Sequence, residues 1–144
     1  MICYFDTSVL VALVTAEHPH RGRVVAGLRA SGVDQASVHA GFHVLAEAYS
    51  TLTHPALPYA LSSGEAAHTV AEALRRTFRE VPVAEAVYKD ALTFAGQYGF
   101  VTGNIYDVLH LKAAESVGAD QLWTLNAKHF LRFAPHTDVE IVVP

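Results

Sequence analysis

Long apolar stretches that each contain a single charged residue, always an acid, constrain how this chain can fold. These acids and their stretches are Asp6 in residues 1–16, Glu47 in residues 35–64 and Asp107 in residues 91–111. An isolated carboxylate costs several kcal/mol to bury unless a partner compensates its charge, and no basic residue lies nearby in sequence. The fold must therefore leave these acids at the ends of its elements or bring them together around a cation.

The composition is that of one ordinary domain with a substantial core. The chain has 144 residues, of which 51% are hydrophobic and 17% charged, so we expect a single domain over residues 1–144. A net charge of −4 and a pI of about 6.1 argue against a protein that coats nucleic acid. The single cysteine, Cys3, excludes an intramolecular disulfide and is expected to be a core thiol.

No segment of the sequence predicts a membrane anchor or a secretory leader. Asp6 interrupts the first apolar run, and no apolar run reaches the roughly 18 residues needed to cross a bilayer. We therefore expect a soluble cytoplasmic protein.

Strand-like and helix-like segments alternate along the chain. Strands are predicted at residues 2–5, 78–83, 121–125 and 140–143, and residues 35–39 are a candidate second strand. Helical periodicity and cap signals predict helices at residues 9–15, 20–30, 41–52, 62–76, 84–98, 104–117 and 127–133, with Asn104 as a cap. This alternation is typical of an α/β fold with a parallel sheet covered by helices on both faces.

Asp6 follows directly on the first predicted strand. In open parallel sheets ligands gather at the carboxyl ends of strands, where helix N-termini also point. The alternative is that Asp6 caps the following helix, a role that Asp performs well. Capping and metal binding use different lone pairs, so position alone leaves both roles open.

Asp107 has the clearest directional signal of the three acids. At 100° per residue, Lys112 and Ser116 mark the solvent face of its helix, and Asp107 lies on the opposite side beside Leu111. The alternative is an acid in the first turn that the helix dipole favours, which does not explain the inward direction. The pattern therefore favours a functional role for Asp107.

The next two candidates have weaker patterns. Glu47 falls on the polar face of its helix with His43, so a solvated face is the plain interpretation and a cleft lining is the alternative. Asn126 ends the fourth strand and should lie near Asp6, but it could equally cap the short helix that follows. Asp120 begins the same strand and is excluded from the site because it should lie at the opposite edge.

Four segments carry a shared pattern: residues 4–10, 45–47, 105–110 and 118–130. In their order and spacing they resemble PIN-domain proteins, and most closely the VapC-type toxins of toxin–antitoxin pairs. The resemblance spans nearly the whole chain, apart from residues 53–79, which match no motif.

The resemblance implies a three-layer α/β/α sandwich with a central parallel sheet of four to five strands. It also implies Mg²⁺- or Mn²⁺-dependent RNA cleavage that leaves a 5′-phosphate, with Asp6, Glu47 and Asp107 as metal-binding acids. Asn126 stands where many members have an acid, which weakens the case for a second metal ion. All four residues are the expected catalytic set, with Asp6 and Asp107 as the main metal site. A homodimer and a small antitoxin that blocks the cleft are further implications of the resemblance.

Other interpretations remain open at this stage. The chain could be a non-catalytic binding or scaffold subunit, or another metal-dependent phosphoesterase such as a phosphatase or DNA nuclease. A haloacid-dehalogenase phosphatase would need a second Asp at the position of Ser8.

Arginine clusters at residues 21–29 and 75–79 could bind RNA phosphates or be solvated surface charge. The histidines show no metal-ligand spacing, although His110 and His43 could edge the cleft.

Overall fold

The first strand lies at the centre of the sheet. In the computed structural model, which describes all of residues 1–144, β1 (Cys3–Phe5) pairs with β2 (Val38–Gly41) on one side and β4 (Gln121–Trp123) on the other. β3 (Arg79–Val81) and β5 (Glu140–Val142) form the edges, so the order is β3-β2-β1-β4-β5 with every pair parallel. The predicted parallel sheet is confirmed.

Seven α-helices connect and cover the strands. They are α1 (Thr7–Val14), α2 (Arg21–Ser31), α3 (Val44–Leu52), α4 (Ser63–His68), α5 (Glu85–Tyr98), α6 (Asn104–Ser116) and α7 (Ala127–Phe130). Helix α4 begins with the predicted capping box, in which Ser62 and Glu65 exchange hydrogen bonds. It continues through a π-helical turn and a 3₁₀ turn to Arg76, so the predicted helix is present but its winding changes.

Alternating side chains of the central strands separate two apolar layers. Cys3 and Phe5 pack with core residues of α1 to α4, whereas Tyr4 packs on the other face with residues of α5, α6 and the segment after α7. The same alternation puts Trp123 in the first layer and Leu122 in the second. This arrangement confirms the three-layer α/β/α sandwich.

The predicted start of the second strand is wrong. The carboxylate of Asp34 accepts a hydrogen bond from the Ala36 amide at 3.2 Å and starts a 3₁₀ turn at Gln35–Ser37. The strand therefore begins at Val38 and ends at Gly41, the first residue of the predicted third helix, which itself begins at Val44. A local side-chain cap thus decides where the strand starts.

Two further boundaries differ from the predicted ones. The third strand ends at Val81 because Pro82 has no N–H to donate to the ladder. Asn104 is the first residue of α6 rather than its cap: its side-chain amide donates to the Val101 carbonyl at 2.7 Å, and Gly103 occupies the cap position.

The cysteine in the central strand gives a test of the fold. Cys3 is fully buried, and burial raises the pKa of its thiol, so both access and thiolate formation are suppressed in the native state. We expect labelling by a thiol reagent at pH 8 to be at least about a hundredfold slower than in denaturant. Labelling in native buffer at the rate of a free thiol peptide would contradict the central position of β1.

Candidate functional site

A polar cleft of about 470 Å³ opens at the carboxyl ends of β1 and β4. From β1 the chain passes to β2 on one side, and β4 lies on the other, so the cleft is at the topological switch point of the sheet. None of its lining residues is Lys or Arg. The lining consists of Asp6, Thr7, Ser8, Val11, His18, Glu47, Ser50, Thr51, Tyr106, Asp107, His110 and Asn126.

The backbone places Asp6 where β1 ends and α1 begins. Its side chain is 4% exposed, and its Oδ1 accepts hydrogen bonds from the Ser8 hydroxyl at 2.6 Å and the Val9 amide at 3.1 Å. Its Oδ2 accepts one from the Thr124 hydroxyl at 2.7 Å. Burial raises the pKa of Asp6, and the charge of His110 together with these hydrogen bonds opposes the rise. The predicted cap is confirmed, and it leaves Oδ2 with capacity for a further partner.

Ser8 has a structural role beside Asp6. Besides donating to the Asp6 carboxylate, its hydroxyl accepts a hydrogen bond from the Leu125 amide at 2.9 Å. Ser8 therefore links the start of α1 to the segment after β4, at the position where a haloacid-dehalogenase site would need a second Asp.

Glu47 lies on the cleft side of α3. Its Oε2 accepts hydrogen bonds from the Thr7 hydroxyl and from Nε2 of His110, the latter at 2.9 Å, whereas Oε1 has no partner within the protein. Burial favours a higher pKa for Glu47, but the bond and charge of His110, with the Thr7 bond, hold that pKa below its ordinary value. The polar face that the sequence shows on this helix faces the cleft rather than bulk solvent.

Asp107 points into the cleft from the first turn of α6, as its helical position indicates. Its side chain is 19% exposed, and Oδ2 pairs with Nδ1 of His129 at 2.9 Å, while Oδ1 has no partner within the protein. Burial raises the pKa of Asp107, and the neighbouring His129 opposes the rise. Sequence patterns do not identify His129 as the partner, because α7 reaches α6 only in the folded chain.

Asn126 lines the cleft beside the acids. It stands at the cap position of α7, but its side chain makes no capping hydrogen bond, so the capping interpretation is wrong. Its backbone amide donates to the Thr124 hydroxyl at 2.9 Å, which holds the strand end close to Asp6. Asp120 lies at the other end of β4, where its carboxylate accepts from the Ile2 amide.

His110 hydrogen-bonds Glu47 and also lies within electrostatic range of Asp6 and Asp107. It is 3% exposed, its Nδ1 lies 3.2 Å from the Tyr4 hydroxyl, and its Nε2 meets Glu47. Burial lowers the pKa of a histidine, but the bond to Glu47 and the charges of the acids outweigh it, so the pKa of His110 is raised. Its position three residues after Asp107 in the same helix is the only sequence signal for this role.

His43 packs against His110 with a ring-centroid distance of 4.4 Å. Both of its ring nitrogens are buried without a hydrogen-bond partner. Burial and the neighbouring His110 lower the pKa of His43 to about 4, although Glu47 opposes the shift. The ring is therefore neutral near pH 7.

Charged residues outside the cleft are partly neutralised by each other. Arg75 pairs with Glu80 at 3.1 Å and Arg76 with Glu72 at 2.8 Å. Neither arginine cluster lines the cleft.

No helix is long and apolar enough to span a membrane.

Several solved structures are similar to this fold. VapC20 of Mycobacterium tuberculosis, described as a sarcin–ricin loop cleaving toxin, has a TM-score of 0.67 and 18% identity, covering 95% of this chain and 98% of that chain. VapBC2 from Rickettsia felis, bound to a promoter DNA fragment, has a TM-score of 0.66 and 18% identity, covering 99% and 98%. FitAcB from Neisseria gonorrhoeae has a TM-score of 0.67 and 17% identity, covering 97% and 96%. Identities this low show the fold alone.

Sequence comparison gives the family. No curated protein matches the sequence significantly. The sequence does match the PIN domain family over residues 3–134, which is nearly its whole length. With the parallel sheet and the acid-lined cleft at its switch point, this match shows that the chain belongs to the PIN domain family.

Proposed function

We propose that this protein is a Mg²⁺- or Mn²⁺-dependent endoribonuclease and the toxin of a toxin–antitoxin pair. The observation that carries the proposal is that Asp6, Glu47 and Asp107, each isolated in sequence, line one cleft that contains no Lys or Arg. Such a cleft repels a phosphate unless a cation is bound in it. The family match and the description of VapC20 as a sarcin–ricin loop cleaving toxin support the same activity.

The donor atoms fit a hard divalent cation. Oε1 of Glu47 and Oδ1 of Asp107 have no partner within the protein, and Oδ2 of Asp6 accepts only one hydrogen bond. Carboxylate oxygens are the ligands that Mg²⁺ and Mn²⁺ prefer. Each acid can thus offer an oxygen to an ion without losing the bonds that orient it.

The three acids are not close enough together to form a complete set of direct ligands in this structure. Three ligand atoms within 4.8 Å of one another come from His43, Glu47 and His110, and not from the three acids. Mg²⁺ keeps several of its waters in proteins and binds through one or two carboxylates. Our proposal is therefore that Asp6 and Asp107 hold the ion and that water mediates the remaining contacts.

Different residues of the cleft have different proposed roles in hydrolysis. A bound ion lowers the pKa of its water and polarises the phosphoryl oxygen. Glu47, kept ionised by His110, has a free oxygen that can accept a proton of the attacking water and orient it. Thr7 and His110 fix the Glu47 carboxylate from its other oxygen. The neutral Asn126 side chain can position the ion or the RNA without adding charge.

The comparisons support an antitoxin partner, and the RNA substrate and the homodimer are further parts of the proposal. FitAB is described as bound to a DNA fragment, and a further neighbour from Klebsiella pneumoniae is described as a toxin–antitoxin complex. We propose a cognate antitoxin protein that covers the cleft, and a homodimer as the assembly. The substrate is RNA, with DNA and small phosphate esters as comparison substrates that separate this activity from other phosphoesterases.

A non-catalytic scaffold is the second candidate, because Asn126 replaces an acid in the cleft. The two candidates differ in one assay. A scaffold would leave RNA, DNA and a small phosphate ester uncleaved even with Mn²⁺, whereas a nuclease would cleave RNA and lose that activity with chelator.

Replacing the central acid tests the catalytic proposal. Asp6→Asn keeps the hydrogen-bonded shape of the side chain but removes a charged ligand, so we expect RNA cleavage with Mn²⁺ to fall at least about a hundredfold. The measurement is the initial rate of cleavage of a labelled RNA. Asp90→Asn on the exposed face of α5 is the matched control and should keep the wild-type rate. Wild-type activity in Asp6→Asn would contradict the proposal.

Metal binding should also be visible in stability. Because the ion compensates acids that burial destabilises, Mn²⁺ at about 100 times its dissociation constant should raise the free energy of unfolding by about 2.7 kcal/mol. Without metal, Asp6→Asn should be at least as stable as the wild type, since it removes a buried charge. The measurement is urea unfolding with Mn²⁺ or chelator. A Mn²⁺ effect of equal size in Asp6→Asn would place the ion elsewhere.

A further inference from the structure

Two histidines and one acid form a ligand set of a different character from the oxygen site: Glu47 and His110 line the cleft, and His43 packs against His110. One potential ligand atom from each of His43, Glu47 and His110 lies within 4.8 Å of the other two. Two imidazoles with one carboxylate suit Zn²⁺ and the other late first-row metals, whereas Mg²⁺ prefers oxygen alone. We propose that these three residues bind a late first-row transition metal ion such as Zn²⁺.

The proposed metal ion would account for the unpaired ring nitrogens of His43. Both of its ring nitrogens are buried and neither has a hydrogen-bond partner. Nearly all buried polar groups in native proteins are paired, so such a group calls for an explanation. The neutral ring has a lone pair on one nitrogen, and a metal ion shared with Glu47 and His110 would satisfy it.

The backbone is shaped to accommodate this histidine. A Cβ at Gly41 would come 2.4 Å from Cε1 and 2.6 Å from Nδ1 of His43, and 2.9 Å from the Tyr4 hydroxyl. Only glycine at the end of β2 leaves room for the ring. The Tyr4 hydroxyl also meets Nδ1 of His110 at 3.2 Å, which leaves Nε2 of His110 directed at Glu47. Outer partners of this kind commonly fix the orientation of metal-binding histidines.

Glu47 and His110 already stand near the spacing of two ligands on one ion. Nε2 of His110 lies 2.9 Å from Oε2 of Glu47, and ligand distances near 2.1 Å at a tetrahedral ion separate two donors by about 3.4 Å. The ion would replace the proton between these atoms, and that proton would pass to solvent. Both residues line the cleft, so an ion can enter there and keep a water as its fourth ligand.

Both proposed roles of the cleft use Glu47, zinc through Oε2 and the reaction through Oε1. Zn²⁺ bound at Oε2 would lower the basicity of the whole carboxylate toward the attacking water, so zinc should inhibit the Mn²⁺-dependent reaction. The inhibition rests on the proposed function, whereas zinc binding does not depend on it. A test of binding without RNA thus separates failure of this inference from failure of the nuclease proposal.

The binding test uses the full chain, stripped of metal and titrated with Zn²⁺ in the presence of millimolar Mg²⁺. We expect one equivalent of Zn²⁺ to bind and the affinity to fall at least about tenfold in His43→Gln, while Mn²⁺ affinity changes less than about twofold because the oxygen ligands remain. His20→Gln is the matched control. His18, which lines the cleft, and the exposed His20 have ring centroids 5.7 Å apart, and adventitious zinc would bind between them.

The zinc titrations of the two variants either support or overturn the proposed site. Loss of zinc binding in His43→Gln, with retention in His20→Gln, supports the site. Absence of zinc binding, or binding that only His20→Gln removes, overturns it. If His43→Gln does not fold, the X-ray absorption spectrum of wild-type protein with one equivalent of Zn²⁺ decides: two imidazole ligands support the site, and an all-oxygen shell overturns it.

The inhibition arm is then measured separately on active enzyme. Zinc should halve the Mn²⁺-dependent cleavage rate at the concentration that half-fills the site, and His43→Gln should need at least about tenfold more zinc. Stoichiometric binding at this site without inhibition would overturn the regulatory part.

Discussion

The fold buries one carboxylate at the end of its central strand and arranges its neighbours to orient it. Asp6 accepts hydrogen bonds from Ser8 and Val9 at the start of α1 and from Thr124 after β4. One side chain thereby ties the first helix and two strands together, so these elements cannot shift independently. No Arg or Lys compensates the buried charge, and burial raises the pKa of the acid. The same desolvation that costs stability makes the carboxylate a strong ligand for a cation entering from the cleft.

An internal histidine offsets part of the acidity of the cleft. The bond from His110 holds the pKa of the Glu47 carboxyl below its ordinary value, and the same bond with the charges of the acids raises the pKa of His110 despite its burial. A divalent cation would compensate the same acids more strongly. Tyr4 meets the other ring nitrogen at 3.2 Å, so the second apolar layer of the core also supports the site.

The parts of this site that follow from local rules could be predicted from the sequence. The carboxyl end of an apolar strand places Asp6, and helical geometry turns Asp107 inward. Glu47 has a weaker signal, because periodicity cannot distinguish a helix face that lines a cleft from one in bulk water. The network through His110 depends on packing α3 against α6 at side-chain resolution, which no spacing in the sequence encodes. The predicted start of β2 is wrong for a local reason: Asp34 caps a 3₁₀ turn over Gln35–Ser37, so these residues do not join the strand.

The two oxygens of Glu47 have different partners, and this difference bears on which metal ion the carboxylate would bind. Oε2 is satisfied by Thr7 and His110, while Oε1 is free. A hard ion can use Oε1, directly or through water, without disturbing the histidine. A borderline ion gains more by displacing the proton between Oε2 and His110 and by recruiting His43. Because later first-row metals bind nitrogen-containing sites more tightly than Mg²⁺ or Mn²⁺, the supply of each metal rather than intrinsic affinity would decide which ion occupies the cleft. With the proposed nitrogen donors beside the proposed oxygen site, the activity of the cleft would depend on that supply.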